Sequence, residues 1–132
     1  MLGQGGNDRL YGEDDADWLE GGAGDDNLDG SNAADTLVGN DGADVFRFTA
    51  LTDSSLVGDI DIIADFNQLE GDTVDLSLLD AIAGAGDDAF VFIGNTAFSG
   101  AAGGLAYACA VGYTFLQADT DGDGYSNFDV AI

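Results

Sequence analysis

The chain has 132 residues, of which 26 are acidic and two, Arg9 and Arg47, are basic, so its formal net charge is −24. A charge of this sign and size excludes nucleic acid and anionic membrane surfaces as partners, because both would be repelled at long range. The sequence has no histidine and a single cysteine, which excludes histidine-ligated zinc, Ser-His or Cys-His catalysis and an internal disulfide. No apolar run reaches the roughly 18 residues of a membrane span, so we expect no membrane insertion.

An acid excess of this size is typical of disordered chains, but hydrophobic residues make up 45% of the sequence and favour a folded domain with a core. The acids are also not spread evenly. In the first third of the chain they recur with a fixed period, and this period predicts the fold of that third.

A nine-residue repeat begins at the N-terminus. Its apolar positions are Leu10, Leu19, Leu28, Leu37 and Phe46. Two positions before each of them stands an aspartate: Asp8, Asp17, Asp26, Asp35 and Asp44. Seven positions before each stands a glycine: Gly3, Gly12, Gly21, Gly30 and Gly39. This is the G-G-x-G-x-D-x-U-x pattern of the calcium-binding parallel β-roll of RTX proteins.

The chemistry of the repeat agrees with that pattern. Each nonapeptide has one inward apolar residue, which fits a very short strand, and glycines that allow a tight turn at positive φ. Stacked strands lie about 4.8 Å apart, so the aspartates and carbonyls of neighbouring turns face one another. Calcium takes 6–8 oxygen ligands at about 2.3–2.6 Å, so we predict several Ca²⁺ ions bound between the turns.

If each repeat is half a turn of the roll, alternate repeats share an edge. The odd repeats, which form the odd edge, all have glycine at their fourth position. The predicted ligands on the odd edge are Gly3, Gly5 and Asp8, then Gly21, Gly22, Ala23, Gly24 and Asp26, and then Gly39, Asn40, Asp41, Gly42 and Asp44.

The even repeats, which form the even edge, supply Asp17 and Asp35. Their fourth positions are Asp15 and Ala33, which tolerate the left-handed conformation less well than glycine. We therefore predict that the odd edge holds the better-formed calcium sites and that the even edge binds weakly or is distorted.

The nine-residue period stops after Phe48. In DIDIIADF, alternation predicts a half-buried strand with Ile60, Ile62, Ala64 and Phe66 facing inward. TVDL is a further short strand, and Ser77 with Asp80 resembles a capping box that opens a short helix.

The remaining predicted strands are AFVFI, LAYACAV, YTFLQA and YSNFDVAI. In LAYACAV, alternation places Leu105, Tyr107, Cys109 and Val111 on one face, with Cys109 as a small buried hydrophobe. In the last strand, Phe128, Val130 and Ile132 share a face. The predicted fold is all-β: a parallel β-roll over residues 1–48, capped by an antiparallel β-sandwich-like region over residues 49–132, packed as one structural unit.

The second half resembles the C-terminal domain of secreted metalloproteases of the serralysin type. The resemblance rests on DIIADFNQLEGDTVDLSLLDA, FVFIGNTAFSGAAGGLAY and DTDGDGYSNFDVAI. It implies a non-catalytic module that follows a catalytic domain and helps to carry it through a type I secretion channel. Related RTX modules occur in alginate epimerases and bacterial lipases. The protease motif HExxH is absent, so the resemblance is confined to the carrier half.

The resemblance also implies that Asp65 and Asp72 bind a calcium ion near the end of the roll; a plain acidic hairpin loop is the alternative. Asp119, Asp121 and Asp123 resemble the start of an EF-hand loop, but Val130 stands where the bidentate acid belongs, so we favour a solvated turn followed by a strand. The C-terminal residues Asp129 to Ile132 resemble a type I secretion signal, and can also form an edge strand.

The predicted function is that of a calcium-binding module of a secreted, extracellular protein, unfolded at low calcium for export and folded by calcium outside the cell. The chain begins as the first repeat begins, so we expect an upstream catalytic domain, and the type I secretion machinery, as partners. The alternative is a polysaccharide-binding module, for which the two arginines are few. An enzyme active site within this chain is the least favoured reading, because the regular carboxylates have metal-ligand spacing.

Overall fold

A computed structural model describes residues 1–55, 58–82, 84, 88–110 and 112–132. Twelve strands lie in this part of the chain and form two sheets. They are β1 (Leu2–Gly5), β2 (Arg9–Tyr11), β3 (Trp18–Ala23), β4 (Asn27–Asp29), β5 (Thr36–Asp41), β6 (Val45–Arg47), β7 (Asp61–Ile63), β8 (Thr73–Asp75), β9 (Val91–Gly94), β10 (Gly104–Ala110), β11 (Tyr113–Asp119) and β12 (Phe128–Ala131).

The repeats form a parallel roll in which successive strands alternate between the sheets. One sheet contains β1, β3, β5 and β7 in that order, and the other contains β2, β4, β6 and β8. Because two repeats complete one turn, Leu10 lies beside Leu28 and Leu19 beside Leu37. The five apolar repeat residues are all buried between the two sheets, so the predicted inward positions are confirmed.

The roll continues beyond the last nonapeptide. Strand β7 pairs with β5 through Leu37 and Ile63, and β8 pairs with β6 through Phe46 and Val74. The predicted phase of DIDIIADF is therefore wrong, because Asp61 and Ile63 are the buried residues and Ala64 is exposed. Pairing with β5 sets the phase of this strand, and it selects the sequence Asp-Ile-Ile as another copy of the D-x-U core of the repeat.

The cap extends one sheet of the roll. Strand β12 pairs in parallel with β7 and antiparallel with β11, which pairs antiparallel with β10. Strand β9 forms the outer edge and is parallel to β10. Phe128 and Val130 belong to the same hydrophobic core as the roll leucines, and the Phe48 and Phe128 rings meet edge to face at 5.2 Å. The predicted all-β roll with a β cap is confirmed.

Two local predictions in the cap are wrong. The segment after Ser77 is a turn, because the Ser77 N–H bonds to Asp75 Oδ1 and the Ile82 N–H bonds to Asp80 Oδ1 in place of a capping box. Cys109 is exposed, because the last four residues of β10 are uncovered on both faces of the strand. The predicted inward position of Val111 lies outside the described residues. No helix in the described part of the chain is long and apolar enough to cross a membrane.

Candidate metal centre

The turns between strands have the same backbone shape in all five repeats. At the second position, φ is positive in Gln4, Glu13, Gly22, Ser31 and Asn40. At the fourth position it is positive in Gly6, Asp15, Gly24, Ala33 and Gly42. Two left-handed residues per turn fold the chain back within a few residues and bring the turns of alternate repeats into register.

A ladder of carboxylates runs along each edge. On the odd edge, the Asp8 N–H donates to Asp26 Oδ1 at 2.7 Å and the Asp26 N–H donates to Asp44 Oδ1 at 2.9 Å. On the even edge, the Asp17 N–H donates to Asp35 Oδ1 at 2.7 Å. Asp26, Asp35 and Asp44 thus each accept a hydrogen bond from the N–H of the aspartate 18 residues earlier in the chain.

The second oxygen of most of these carboxylates is buried without a hydrogen-bond partner. Among the described residues this applies to Oδ2 of Asp8, Asp26, Asp35, Asp44, Asp61 and Asp129. The first glycine of the same repeat lies directly against this oxygen. A Cβ at Gly21, Gly30 or Gly39 would collide with Oδ2 of Asp26, Asp35 or Asp44. At Gly3 it would meet both Asp8 Oδ2 and the Gly21 carbonyl oxygen.

These oxygens fit a calcium ion. A buried carboxylate oxygen without a partner is costly, and a cation between the turns would remove that cost. The donors are carboxylate and carbonyl oxygens only, which suits Ca²⁺ better than Mg²⁺ or a softer metal. Asp8, Asp26 and Asp44 would hold calcium on the odd edge, and Asp35 would hold it on the even edge.

The two edges differ less than their sequences predict. Asp15 has φ of 81° and Ala33 has φ of 87°, so the even turns keep the left-handed conformation without glycine. The cost of this conformation for a residue with a side chain is about 1–2 kcal/mol. The backbone of the even edge is therefore formed but strained, and weaker calcium binding at this edge stays a prediction.

Several predicted carbonyl ligands already accept hydrogen bonds. The Ala23 carbonyl accepts from the Gly6 N–H at 2.7 Å, and the Asp41 carbonyl accepts from the Gly24 N–H at 2.8 Å. One lone pair of each of these carbonyl oxygens is therefore already occupied by a backbone hydrogen bond between turns. The carbonyls of Gly6 and Gly24 instead face the next turn of the odd edge, next to the Cα atoms of Gly24 and Gly42.

Asp65 and Asp72 lie at the C-terminal end of the odd edge. Asp65 accepts the N–H groups of Gly39 and Asn40 at 2.9 and 2.8 Å. Asp72 accepts the Asp44 N–H through Oδ1 at 3.0 Å and the Asn67 N–H through Oδ2 at 2.8 Å. Both carboxylates thus accept hydrogen bonds from backbone N–H groups at the end of the odd edge. Their role as calcium ligands stays a prediction.

Burial changes the acidity of the aspartates at the centre of the roll. Burial, reinforced by the Asp72 and Asp26 charges, raises the pKa of Asp44 to about 6. Burial likewise raises the pKa of Asp61 to about 8, with the Asp35 charge adding to the effect. Burial also raises the pKa of Asp35 and of Asp29. Without a cation, these groups oppose folding at neutral pH.

Sequence reasoning missed Asp61, Asp29 and Asp53, all of which are buried at the C-terminal end of the even edge. Asp61 to Ile63 has the D-x-U pattern of the repeat, which is the sequence feature that could identify Asp61. The nine-residue period does not reveal it, because Asp61 follows Asp35 by 26 residues and not by 18. Asp29 and Asp53 carry no repeat signal at all.

Asp119, Asp121 and Asp123 place one carboxylate oxygen each within 4.8 Å of one another. The Asp119 oxygens accept the N–H groups of Gly122 and Gly124. Asp121 and Asp123 are exposed, as expected for a solvated turn, but Asp119 is fully buried. That this turn binds no metal stays a prediction. The strand predicted to follow is β12.

The comparison with family models agrees with this geometry. Residues 2–37 and 29–47 match the family model of the RTX calcium-binding nonapeptide repeat, in four copies. A similar solved structure is the solution structure of the AlgE6R3 subunit from the Azotobacter vinelandii mannuronan C5-epimerase. It is 24% identical, the alignment covers 98% of this chain and 71% of that one, and the TM-score is 0.49. No curated protein matches this chain. Residues 2–47 therefore match RTX calcium-binding nonapeptide repeats, and this match indicates Ca²⁺ as the ion that the roll binds.

Proposed function

We propose that this chain is a calcium-triggered folding module of an exported protein. The observation that carries the proposal is the row of buried Oδ2 atoms without partners, from Asp8 to Asp61. These carboxylates destabilise the calcium-free roll and become ligands when calcium is present. A ligand that binds only the folded state stabilises it by RT ln(1 + [L]/Kd), so external calcium at about millimolar concentration would drive folding.

The proposed role in export uses the unfolded state. At low cytosolic calcium the acidic repeats stay unfolded, and a type I secretion system can read the C-terminal residues. In the folded protein, Asp129, Val130 and Ala131 are buried in β12. Burial of this segment supports an order of events in which export comes first and folding second. The module then aids the folding and stability of a catalytic domain upstream in the same chain and is not itself an enzyme.

Circular dichroism with and without calcium tests the trigger. We expect a disordered spectrum in excess chelator, a strand spectrum in millimolar Ca²⁺, and no folding in the same concentration of Mg²⁺. A strand spectrum that is unchanged in excess chelator would refute the proposal. For the export step, a chain that lacks residues 129–132 should not leave cells that carry a type I secretion system. The deletion also removes buried residues of β12, so export is compared from the calcium-poor cytosol, where the wild-type chain is unfolded too.

The alternative of polysaccharide binding has less support. A polyuronate needs cations on the protein surface, and the Arg47 Nε atom already bonds to Asp75 Oδ2 at 3.0 Å. Titration with alginate oligomers in saturating calcium separates the two functions, because the folding module should show no binding.

A further inference from the structure

The even edge of the roll does not end at its last nonapeptide. The Asp35 N–H donates to Asp61 Oδ1 at 2.9 Å, as the Asp17 N–H donates to Asp35 Oδ1 at 2.7 Å. Asp61 lies in this position because its strand, β7, pairs with β5, with Ile62 beside Thr36. Asp61 therefore takes the place of a repeat aspartate although the nine-residue period has ended.

The two edges end in different ways. On the odd edge, both oxygens of the last carboxylate, Asp72, accept backbone N–H groups. On the even edge, Asp61 is fully buried, and its Oδ2 atom has no partner within the described part of the chain. Asp35, one turn earlier, is 1% exposed and also has an unpartnered Oδ2. The even edge is thus left with two buried carboxylate oxygens that lack a donor.

More negative charge surrounds this pair. Asp29 and Asp53 are each 4% exposed, and their charges act on both Asp35 and Asp61. One oxygen of Asp53 accepts the N–H groups of Thr49 and Ala50, which fixes this carboxylate against the residues that follow β6. The nearby cation among the described residues, Arg47, is paired with Asp75. The Arg47 charge also reaches Asp29, but no cation of the described residues pairs with any of the four buried carboxylates.

We propose that Asp61 joins Asp35 to complete a calcium site at the C-terminal end of the even edge, so that this site extends beyond the nonapeptide repeats. The donors are the two Oδ2 atoms, with Asp29 and Asp53 adding negative charge around the ion. An all-oxygen, strongly anionic and enclosed site selects a hard divalent cation. The inference rests on the proposed function, in that calcium is the ion that folds the roll.

The first test compares Asp61→Asn with Asp59→Asn in the full chain. The Asp61→Asn side chain keeps an oxygen for the Asp35 N–H and removes the charged ligand. Asp59 is exposed and lies two residues away, so Asp59→Asn removes the same charge outside the site. By calorimetry and native mass spectrometry, Asp61→Asn should bind one ion fewer than the wild type or bind one ion at least about tenfold more weakly. Asp59→Asn should match the wild type.

The second test does not depend on the folding of a variant. In crystals of the wild-type protein grown with terbium in place of calcium, an anomalous peak should lie within about 2.6 Å of Asp61 Oδ2. Peaks at Asp26 and Asp44 with none at Asp61, or equal ion counts in folded Asp61→Asn and wild type, would overturn the inference and leave the proposed function intact. A wild-type chain that binds no calcium would instead remove the proposed function.

Discussion

Asp26 accepts the backbone N–H of Asp8 through Oδ1 at 2.7 Å, and its Oδ2 atom is buried without a hydrogen-bond partner. One oxygen therefore fixes the register of two turns, and the other is left for a cation. The same carboxylate opposes folding when calcium is absent and supports folding when calcium is present.

Asp26→Asn separates these two effects. The amide oxygen can still accept the Asp8 N–H, but the charged ligand is lost. The calcium concentration at half folding should rise at least about tenfold, because ligand charge sets the affinity of oxygen sites. In chelator, the variant should be no less structured than the wild type, since a buried charge has been removed. Calcium titrations followed by circular dichroism measure both effects. Glu70→Gln, which changes an exposed acid, should leave the midpoint unchanged; an equal midpoint for Asp26→Asn would contradict the ligand role.

Gly21→Ala tests whether the Asp26 carboxylate needs a residue without a side chain beside it. A Cβ at Gly21 would collide with Asp26 Oδ2, so the carboxylate would have to move from its position between the turns. We expect the calcium-bound protein to lose about 1–3 kcal/mol of stability, as for other overpacked sites. Gly5→Ala is the matched control, because a Cβ there would meet its nearest atom, the Ala23 carbonyl oxygen, at an ordinary 3.8 Å. Thermal unfolding in saturating calcium compares them, and similar losses in both variants would remove the steric argument.

Ala33→Gly tests the strain in the even edge. Ala33 has φ of 87°, which costs about 1–2 kcal/mol for a residue with a Cβ and little for glycine. The variant should therefore be stabilised by about 1 kcal/mol in calcium, in spite of the added freedom of its unfolded chain. Ala23→Gly, in strand β3 and without a positive φ, should lose about 0.5–1 kcal/mol. Unfolding scans at fixed calcium measure both variants. Shifts of the same sign would show that Ala33 is not strained.

The roll could be predicted from the sequence because its signal is local and repeated. Leu10, Leu19 and Leu28 are inward for the same reason, and one period fixes the phase of all of them. Asp61 and Asp72 follow Asp35 and Asp44 by 26 and 28 residues, so the period no longer sets their phase. In DIDIIADF either set of alternate residues could face inward. Only the pairing with β5 determines that Asp61 and Ile63 are the buried ones.

The exposure of Cys109 could not be predicted for a related reason. Alternation in LAYACAV predicts one inward face, but Ala106 on the opposite face is buried and the last four residues of β10 are exposed. Which residues of the hairpin are covered depends on strands from distant segments, such as β12, which pairs with residues 115–118 of β11. The end of the even edge is equally non-local, because Asp29, Asp53 and Asp61 come from three separate segments.

Acidification should have opposite effects with and without calcium. The pKa of Asp61 is raised to about 8 and that of Asp44 to about 6, both above the ordinary 3.8. Between these values and about pH 4, the folded calcium-free state binds more protons than the unfolded state, so its stability rises as the pH falls. Calcium must displace those protons, so its affinity should fall over the same range.

Circular dichroism in chelator from pH 8 to pH 5 should show increasing strand content. Calorimetry in two buffers of different ionisation enthalpy should show proton release on binding. Unchanged strand content and no proton release would contradict the raised pKa values.

Ser54→Ala tests how the roll is joined to the C-terminal strand. The Ser54 hydroxyl accepts the Asp61 N–H at 2.9 Å and donates to the Asp129 carbonyl oxygen, and all three residues are buried. Without the hydroxyl, the Asp61 N–H and the Asp129 carbonyl lose these bonds, which should cost about 1–3 kcal/mol. Since β12 pairs with β7 next to this contact, the loss should appear first in the C-terminal strand. Hydrogen exchange in calcium should show faster exchange of the Val130 and Ala131 amides, with the Leu28 amide unchanged. Ser99→Ala, at an exposed serine, should match the wild type. Equal loss of protection at Leu28 would mean that the serine stabilises the whole roll and not the attachment of β12.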